Sequence, residues 1–159
     1  MRAFRRILMA TDFSDASQPA WDTALALAAD TGAALYVVHA YEPPNLIHTG
    51  GIMPGQYEAW DQNVRAAANE KLDDLVAEAL KTGVQADRTV EAGFPEEAIV
   101  KAAGEFGADL IVMGTHGRRG VSRVFMGSVA ARVVATAPCP VLTVRVPAGS
   151  HRGRRAAHG

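Results

Sequence analysis

The chain has one cysteine, Cys139, in 159 residues. An internal disulfide is excluded, and a reducing, cytoplasmic setting is expected. No apolar run approaches the roughly 18 residues that a membrane-spanning helix requires. Arg2, Arg5 and Arg6 precede an apolar run of only Ile7 to Ala10, shorter than the core of a secretory signal. Charge of one sign is also lacking. Sixteen Lys and Arg against 17 Asp and Glu leave a net −1, which disfavours a dedicated nucleic-acid binder. The histidines at 39, 48, 116, 151 and 158 show no metal-ligand spacing, so no metal site is expected. Neither the Gly-Lys-Ser/Thr of a Walker A loop nor a G-x-G-x-x-G turn occurs. No Ser and Asp stand near His116 with triad spacing, so nucleophilic catalysis has no support and no catalytic residue is assigned.

What is present suits an ordinary globule, with 48% hydrophobic and 21% charged residues. A chain of this length buries roughly 70% of its unfolded surface and needs no staples. The charge is uneven. Arg152, Arg154 and Arg155 lie in the last nine residues, so residues 1–150 hold 13 basic against 17 acidic groups, or −4. From Pro147 onward there is almost no apolar bulk, and residues 147–159 are predicted to form a disordered basic tail behind a single domain of residues 1–146.

Apolar periodicity alternates between strand and helix. Ile7 to Ala10 reads as a short buried strand, followed by turn formers from Thr11 to Asp15. Ser14 or Asp15 is placed as the cap of a helix running to about Asp30, with Thr31-Gly32 ending it. Ala34 to Ala40 is the second strand. A loop is predicted from Tyr41 to about Gln56, and a long amphipathic helix from about Tyr57 to Lys81. Val84 to Glu91 reads as a strand near the sheet edge. Pro95, followed by Glu96 and Glu97, opens a helix that ends near Gly107. Val141 to Val146 is the last strand. Such alternation implies a parallel sheet with helices on both faces and right-handed crossovers.

The stretch from Asp109 to Thr136 carries the strongest signal. Leu110 to Met113 is an apolar run fit for one buried strand. Gly114-Thr115-His116-Gly117 follows, then nine residues that include Arg118, Arg119 and Arg123, then Gly127-Ser128 and a helix marked by Val129, Val133 and Val134. Strand, glycine loop and helix start together suit a phosphate. Glycines admit close backbone approach, and the first N–H groups of a helix lack partners inside it. A plain surface connection rich in glycine and arginine has the same composition. Gly127 or Ser128 stands at the helix cap.

The spacing G-x2-G-x9-G-S, carried by Gly114, Gly117, Gly127 and Ser128, resembles the nucleotide-binding signature of the universal stress protein family. Ile7 to Ser14 resembles that family's first strand and turn, and Pro138 to Val144 its last strand. The resemblance spans roughly residues 4–146 and is closest to the ATP-binding subgroup. It implies a three-layer α/β/α fold of the adenine nucleotide α-hydrolase-like kind. The implied sheet is a five-stranded parallel doubly wound one in the order 3-2-1-4-5. Strand order then reverses between strands 1 and 4, where ligands of such sheets bind.

By resemblance, Ala10, Thr11 and Asp12 lie at the nucleoside, with Asp12 as a ribose contact or alternatively a helix cap. Family ATP binders often have Pro before Thr-Asp, where this chain has Ala10. Ala40 corresponds to backbone readout of adenine. Met113, Gly114, His116, Gly117 and Arg118 correspond to the segment along ribose and phosphates, and Gly127, Ser128 and Val129 to the amides that hold phosphates. The ligand implied is ATP, with or without Mg2+; AMP and ADP stay open. The partner implied is a second copy, paired through Val141 to Val146, with neither nucleic acid nor membrane. A regulatory stress-response role with at most slow hydrolysis follows. The alternative is a nucleotide-cleaving or nucleotidyl-transferring enzyme of the related α/β superfamily. Such enzymes carry Ser-Gly-Gly after the first strand, where this chain has Asp12-Phe13-Ser14-Asp15. A phosphoacceptor signalling domain would want more acidic groups around Asp12 and a lysine at the end of the last strand. His39 reads as a packed or capped residue in its strand, and Cys139, between prolines, as structural.

Overall fold

The computed structural model describes residues 3–44, 53–116 and 126–146. Predicted features at Gly117, Arg118, Arg119, Arg123 and in the 147–159 tail lie outside them. The elements in order are β1 Arg6–Ala10, a single 3-10 turn Asp15–Ser17, α1 Gln18–Thr31, β2 Ala34–Tyr41, α2 Pro54–Lys81, β3 Ala86–Ala92, α3 Pro95–Phe106, β4 Leu110–Gly114, α4 Ser128–Thr136 and β5 Val141–Val144. The sheet has five parallel strands in the order β3-β2-β1-β4-β5.

The central strands are apolar on both faces because both faces are covered. Ile7 and Met9 of β1, with Leu110 and Val112 of β4, pack on the Trp21 and Leu72 side, under α1 and α2. Leu8 and Ala10, with Ile111 and Met113, pack on Ile99, Ala103 and Val133 of α3 and α4. Each such buried side chain is worth about 1.5–3 kcal/mol, against about 0–1 kcal/mol for an exposed ion pair. The two apolar layers, rather than surface pairs such as Lys101–Glu105 at 3.7 Å, therefore carry the fold.

Helix ends follow local chemistry. Gly32 and Gly107 close α1 and α3 with φ of 70° and 67°, the left-handed conformation that glycine adopts without penalty. Three starts differ from expectation. α2 begins at Pro54, not near Tyr57, because proline's fixed φ suits a first helical position, where its missing N–H costs no helical hydrogen bond. The cap expected at Ser14 or Asp15 opens only the 3-10 turn, and α1 proper starts at Gln18. The strand expected from Val84 starts at Ala86, since Val84 N–H donates to Ala79 O at 3.1 Å and closes the α2 terminus. β5 stops at Val144 rather than Val146.

Candidate functional site

β1 and β4 are neighbours, with Ala10 opposite Met113, and the chain leaves them toward opposite sides of the sheet. Their carboxyl ends therefore open a crevice at the reversal point. Thr11, Asp12, Gly114, Thr115, His116 and the start of α4 converge on it.

The β1 side is a tight hydrogen-bonded turn. Ser14 N–H donates to Asp12 Oδ1 at 2.9 Å, and the Ser14 hydroxyl donates to the same oxygen. Phe13 N–H donates to Thr11 Oγ1 at 3.0 Å. Ser17 Oγ donates to Ser14 O at 2.8 Å, so the Thr11 hydroxyl is the donor in its 3.2 Å contact with Ser17 Oγ. Thr11 thus acts inside the turn: its side chain shapes the site and its backbone faces β2. Phe13 adopts φ 61°, the left-handed region, which costs a bulky residue about 1–3 kcal/mol. His39 Nδ1 donates to Thr11 O at 2.9 Å, and its ring lies 4.4 Å from that of Phe13.

Ala40 follows from ladder geometry. Thr11 N–H donates to Val38 O at 3.0 Å, so Val38 and, by alternation, Ala40 turn their backbone groups toward β1. β1 ends at Ala10, which leaves the Ala40 N–H and C=O directed at the crevice mouth. Beside it, the Tyr41 hydroxyl donates to Asp61, and Arg65 Nε binds the same carboxylate at 3.0 Å. Burial, then the bond to Asp61, push the Tyr41 hydroxyl up to about 12. The same bond holds the Asp61 carboxyl below its ordinary value.

On the β4 side, Met113 is buried at the strand end. A Cβ at Gly114 would stand 3.3 Å from Ala16 O, so glycine lets the strand end pack against the 3-10 turn. Thr115 N–H donates to Val144 O at 3.1 Å, and the Thr115 carbonyl accepts from Gly127 N–H at 2.7 Å. Thr115 Oγ1 meets His116 Nδ1 at 3.0 Å, while His116 Nε2 is enclosed with no hydrogen-bond partner among the described residues. Gly127 is the cap of α4, and its carbonyl accepts from Ala131 N–H at 3.0 Å. Ser128 is the first helical residue, so the two candidates for the cap are resolved in favour of Gly127. Ser128, Val129 and Ala130 present first-turn N–H groups with no acceptor inside the helix. A helix start with unpartnered N–H groups and a glycine-lined strand end suit an anion with hydrogen-bond acceptors.

A model of the universal stress protein family matches residues 3–145. A universal stress protein of Thermus aquaticus is 43% identical over 145 residues, covering 89% of this chain and 99% of its own. The chain belongs to the universal stress protein family. One solved universal stress protein, in complex with cAMP, is 27% identical with a TM-score of 0.66, covering 91% of this chain and 98% of that one. The universal stress protein from Archaeoglobus fulgidus in complex with dAMP is 25% identical with a TM-score of 0.62, covering 91% and 100%.

In this universal stress protein a hollow of about 590 Å3 lies elsewhere, between α3 and α4, lined by Glu96, Val100, Arg132 and Thr136. It touches none of the crevice residues. No helix among the described residues is long and apolar enough to cross a membrane. Cys139 lies half-buried against the α3/α4 core. Burial, then nearby Asp109, push its thiol up, which keeps it protonated and unreactive. Sequence reasoning missed three parts of the site. Phe13 gave no signal, because left-handed positions are sought at glycine or asparagine. His39 reads as a packed or capped residue, and its bond to Thr11 O needs the register of β1 against β2. Thr115 falls within the 113–117 segment read along ribose and phosphates, but its backbone bond to Gly127 is one that no side-chain pattern reports.

Proposed function

We propose that this chain binds an adenine nucleotide, ATP in the first place, in the crevice between β1 and β4, as the regulatory ligand of a homodimer. One observation carries the reading: the Asp12 turn, the Gly114–His116 strand end and the first turn of α4 converge at the point where strand order reverses. Two family members solved with adenine nucleotides support it.

Asp12 accepts hydrogen bonds from ribose hydroxyls. The Ala40 backbone presents one donor and one acceptor to the adenine edge. Met113, Gly114 and His116 run beside ribose and phosphates, and the amides of Ser128 and Val129 hold phosphate oxygens, joined by Gly117 and Arg118. Gly127 engages its own amide with Thr115 O, so its part is to bring the helix start to the strand end. A bound Mg2+ would neutralise phosphate charge. Hydrolysis is at most slow: His116 Nδ1 is engaged with Thr115 and Nε2 is enclosed, so the imidazole is not set to activate a water. Residues 1–146 form the domain, residues 147–159 are a basic appendage, the second copy joins along β5, and the setting is cytoplasmic.

The test is mass spectrometry of small molecules released by denaturing the purified protein, paired with ATP pull-down of wild type and Gly127→Val. Stoichiometric ATP release and loss of retention in the variant are expected. No released nucleotide, together with no rise in melting temperature on adding ATP, overturns the reading.

A further inference from the structure

The turn that carries Asp12 is held in a conformation that its own residues disfavour. Phe13, between Asp12 and Ser14, has φ 61°. That reversal lets Ser14 N–H reach back to Asp12 Oδ1 at 2.9 Å. Close packing does not hold the Phe13 ring on every side. A hollow of about 220 Å3 opens beside it, lined by Thr11, Ser14, Trp21, Lys71 and Leu75. On its other sides the ring packs on the core, with the His39 ring at 4.4 Å, tilted by 33°, and the Lys71 ammonium 5.1 Å from the Phe13 centroid.

His39 does a second thing. Thr11 N–H donates to Val38 O at 3.0 Å, as in a continuing parallel ladder, and such a ladder would next bring the Ala40 N–H to the Thr11 carbonyl. The His39 imidazole serves that carbonyl instead, at 2.9 Å. A carbonyl only accepts, so Nδ1 carries the proton. Thr11 is therefore fixed at its N–H by the β2 backbone and at its C=O by a β2 side chain. Both rings sit on the α1/α2 side of the sheet. Phe13 packs on that core, and His39 shares its strand face with Val37 and Tyr41, which belong to it.

We propose that His39 and Phe13 are positioning residues for the Asp12 carboxylate: His39 anchors the Thr11 carbonyl and supports the Phe13 ring, and the supported ring keeps the left-handed backbone that aims Asp12 into the crevice. The inference rests on the reading of Asp12 as a nucleotide contact.

Glycine discriminates positioning from direct contact. Phe13→Ala removes the ring and keeps the left-handed penalty, whereas Phe13→Gly removes both. His39→Asn keeps a donor near the Nδ1 position, and His39→Phe keeps only a ring. ATP affinity is measured by calorimetry on the full chain. Phe13→Ala and His39→Phe are expected to weaken binding about tenfold, the scale of one misplaced charge-assisted hydrogen bond, Phe13→Gly by under about threefold, and His39→Asn, which keeps the donor and loses the ring, by an amount between the two. In an Asp12→Asn background, Phe13→Ala is expected to add under about twofold. Equal losses for Phe13→Ala and Phe13→Gly, or a full loss that persists without the Asp12 charge, overturn the proposal.

Hydrogen exchange of the ligand-free protein separates this from the functional reading. The Ser14 amide is expected to exchange about tenfold faster in Phe13→Ala than in wild type, with the β1 and β4 amides unchanged. If wild type binds no adenine nucleotide, the functional reading falls, and Ser14 exchange alone decides the positioning. Unchanged Ser14 exchange overturns it.

Discussion

The Gly127 amide donates to the Thr115 carbonyl at 2.7 Å, and a Cβ placed on Gly127 would stand 3.0 Å from that same oxygen. One backbone bond thus ties the start of α4 to the end of β4 across the segment between them. It also explains the glycine without any ligand: the two backbones approach too closely for a side chain. Gly127→Ala is expected to cost about 1–3 kcal/mol and to lower the melting temperature by several degrees. Gly114→Ala meets Ala16 O at the looser 3.3 Å and should cost less. Calorimetry of both variants checks the order. A Gly127 variant as stable as wild type would show that the loop closes without this bond.

Asp12 offers a separation of fold from binding. Its Oδ1 accepts from the Ser14 backbone and hydroxyl, and an asparagine oxygen can accept from both. Asp12→Asn therefore keeps the turn and loses the charge. Melting is expected to move by no more than about 2 °C, while ATP affinity falls about tenfold or more, the difference between a charged and a neutral acceptor for ribose hydroxyls. Isothermal calorimetry beside a melting curve reads both. Unchanged affinity would remove Asp12 from the site.

The strands were legible because each central one is an unbroken apolar run, which burial on both faces demands: Leu8 and Met9 point to opposite layers, and both are buried. Helix ends were legible at Gly32 and Gly107, where left-handed geometry selects glycine. The start of α2 was not, because Pro54 and Gly55 in a proline-rich stretch read as loop until the helix behind them is seen. Within the site, glycine spacing and the Asp12 turn were readable from local sequence. The His39 to Thr11 bond joins residues on two strands and depends on register, a tertiary quantity. Phe13 ran against the local rule, and its conformation is set by partners from β2 and α2.

Tyr41 predicts a pH dependence. Its hydroxyl is raised from 10.0 to about 12 in the folded chain, by burial first and then by its bond to Asp61. Between those values the unfolded chain has lost the phenolic proton and the folded chain keeps it, so stability falls as pH rises. The contribution is full below pH 10 and is lost through pH 12, by about 2–3 kcal/mol. Tyr41→Phe lacks the titration. Urea unfolding of both proteins from pH 9 to 12 should show wild type losing stability relative to the variant across that window. Parallel curves would place the Tyr41 proton elsewhere.

The β5 edge tests assembly. Ile111 N–H donates to Pro140 O at 3.0 Å and Thr115 N–H to Val144 O at 3.1 Å. Pro140, Leu142 and Val144 therefore direct their backbone groups at β4, and by alternation Val141 and Thr143 direct theirs outward. Among the described residues β5 pairs with β4 alone in the sheet, and Leu142 beside the outward groups is 37% exposed. An uncovered edge of this kind invites a second strand. Thr143→Pro deletes an outward N–H and leaves the β4 ladder intact, since proline is tolerated on an edge where its missing donor faces solvent. Sizing with light scattering at micromolar concentration is expected to show a dimer for wild type and a monomer for Thr143→Pro. The wild-type melting temperature should rise with protein concentration, and that of the monomeric variant should not. If the variant remains dimeric, the second copy docks on another face. The exposed Val134 of α4, at 49%, would then be the apolar surface to substitute next.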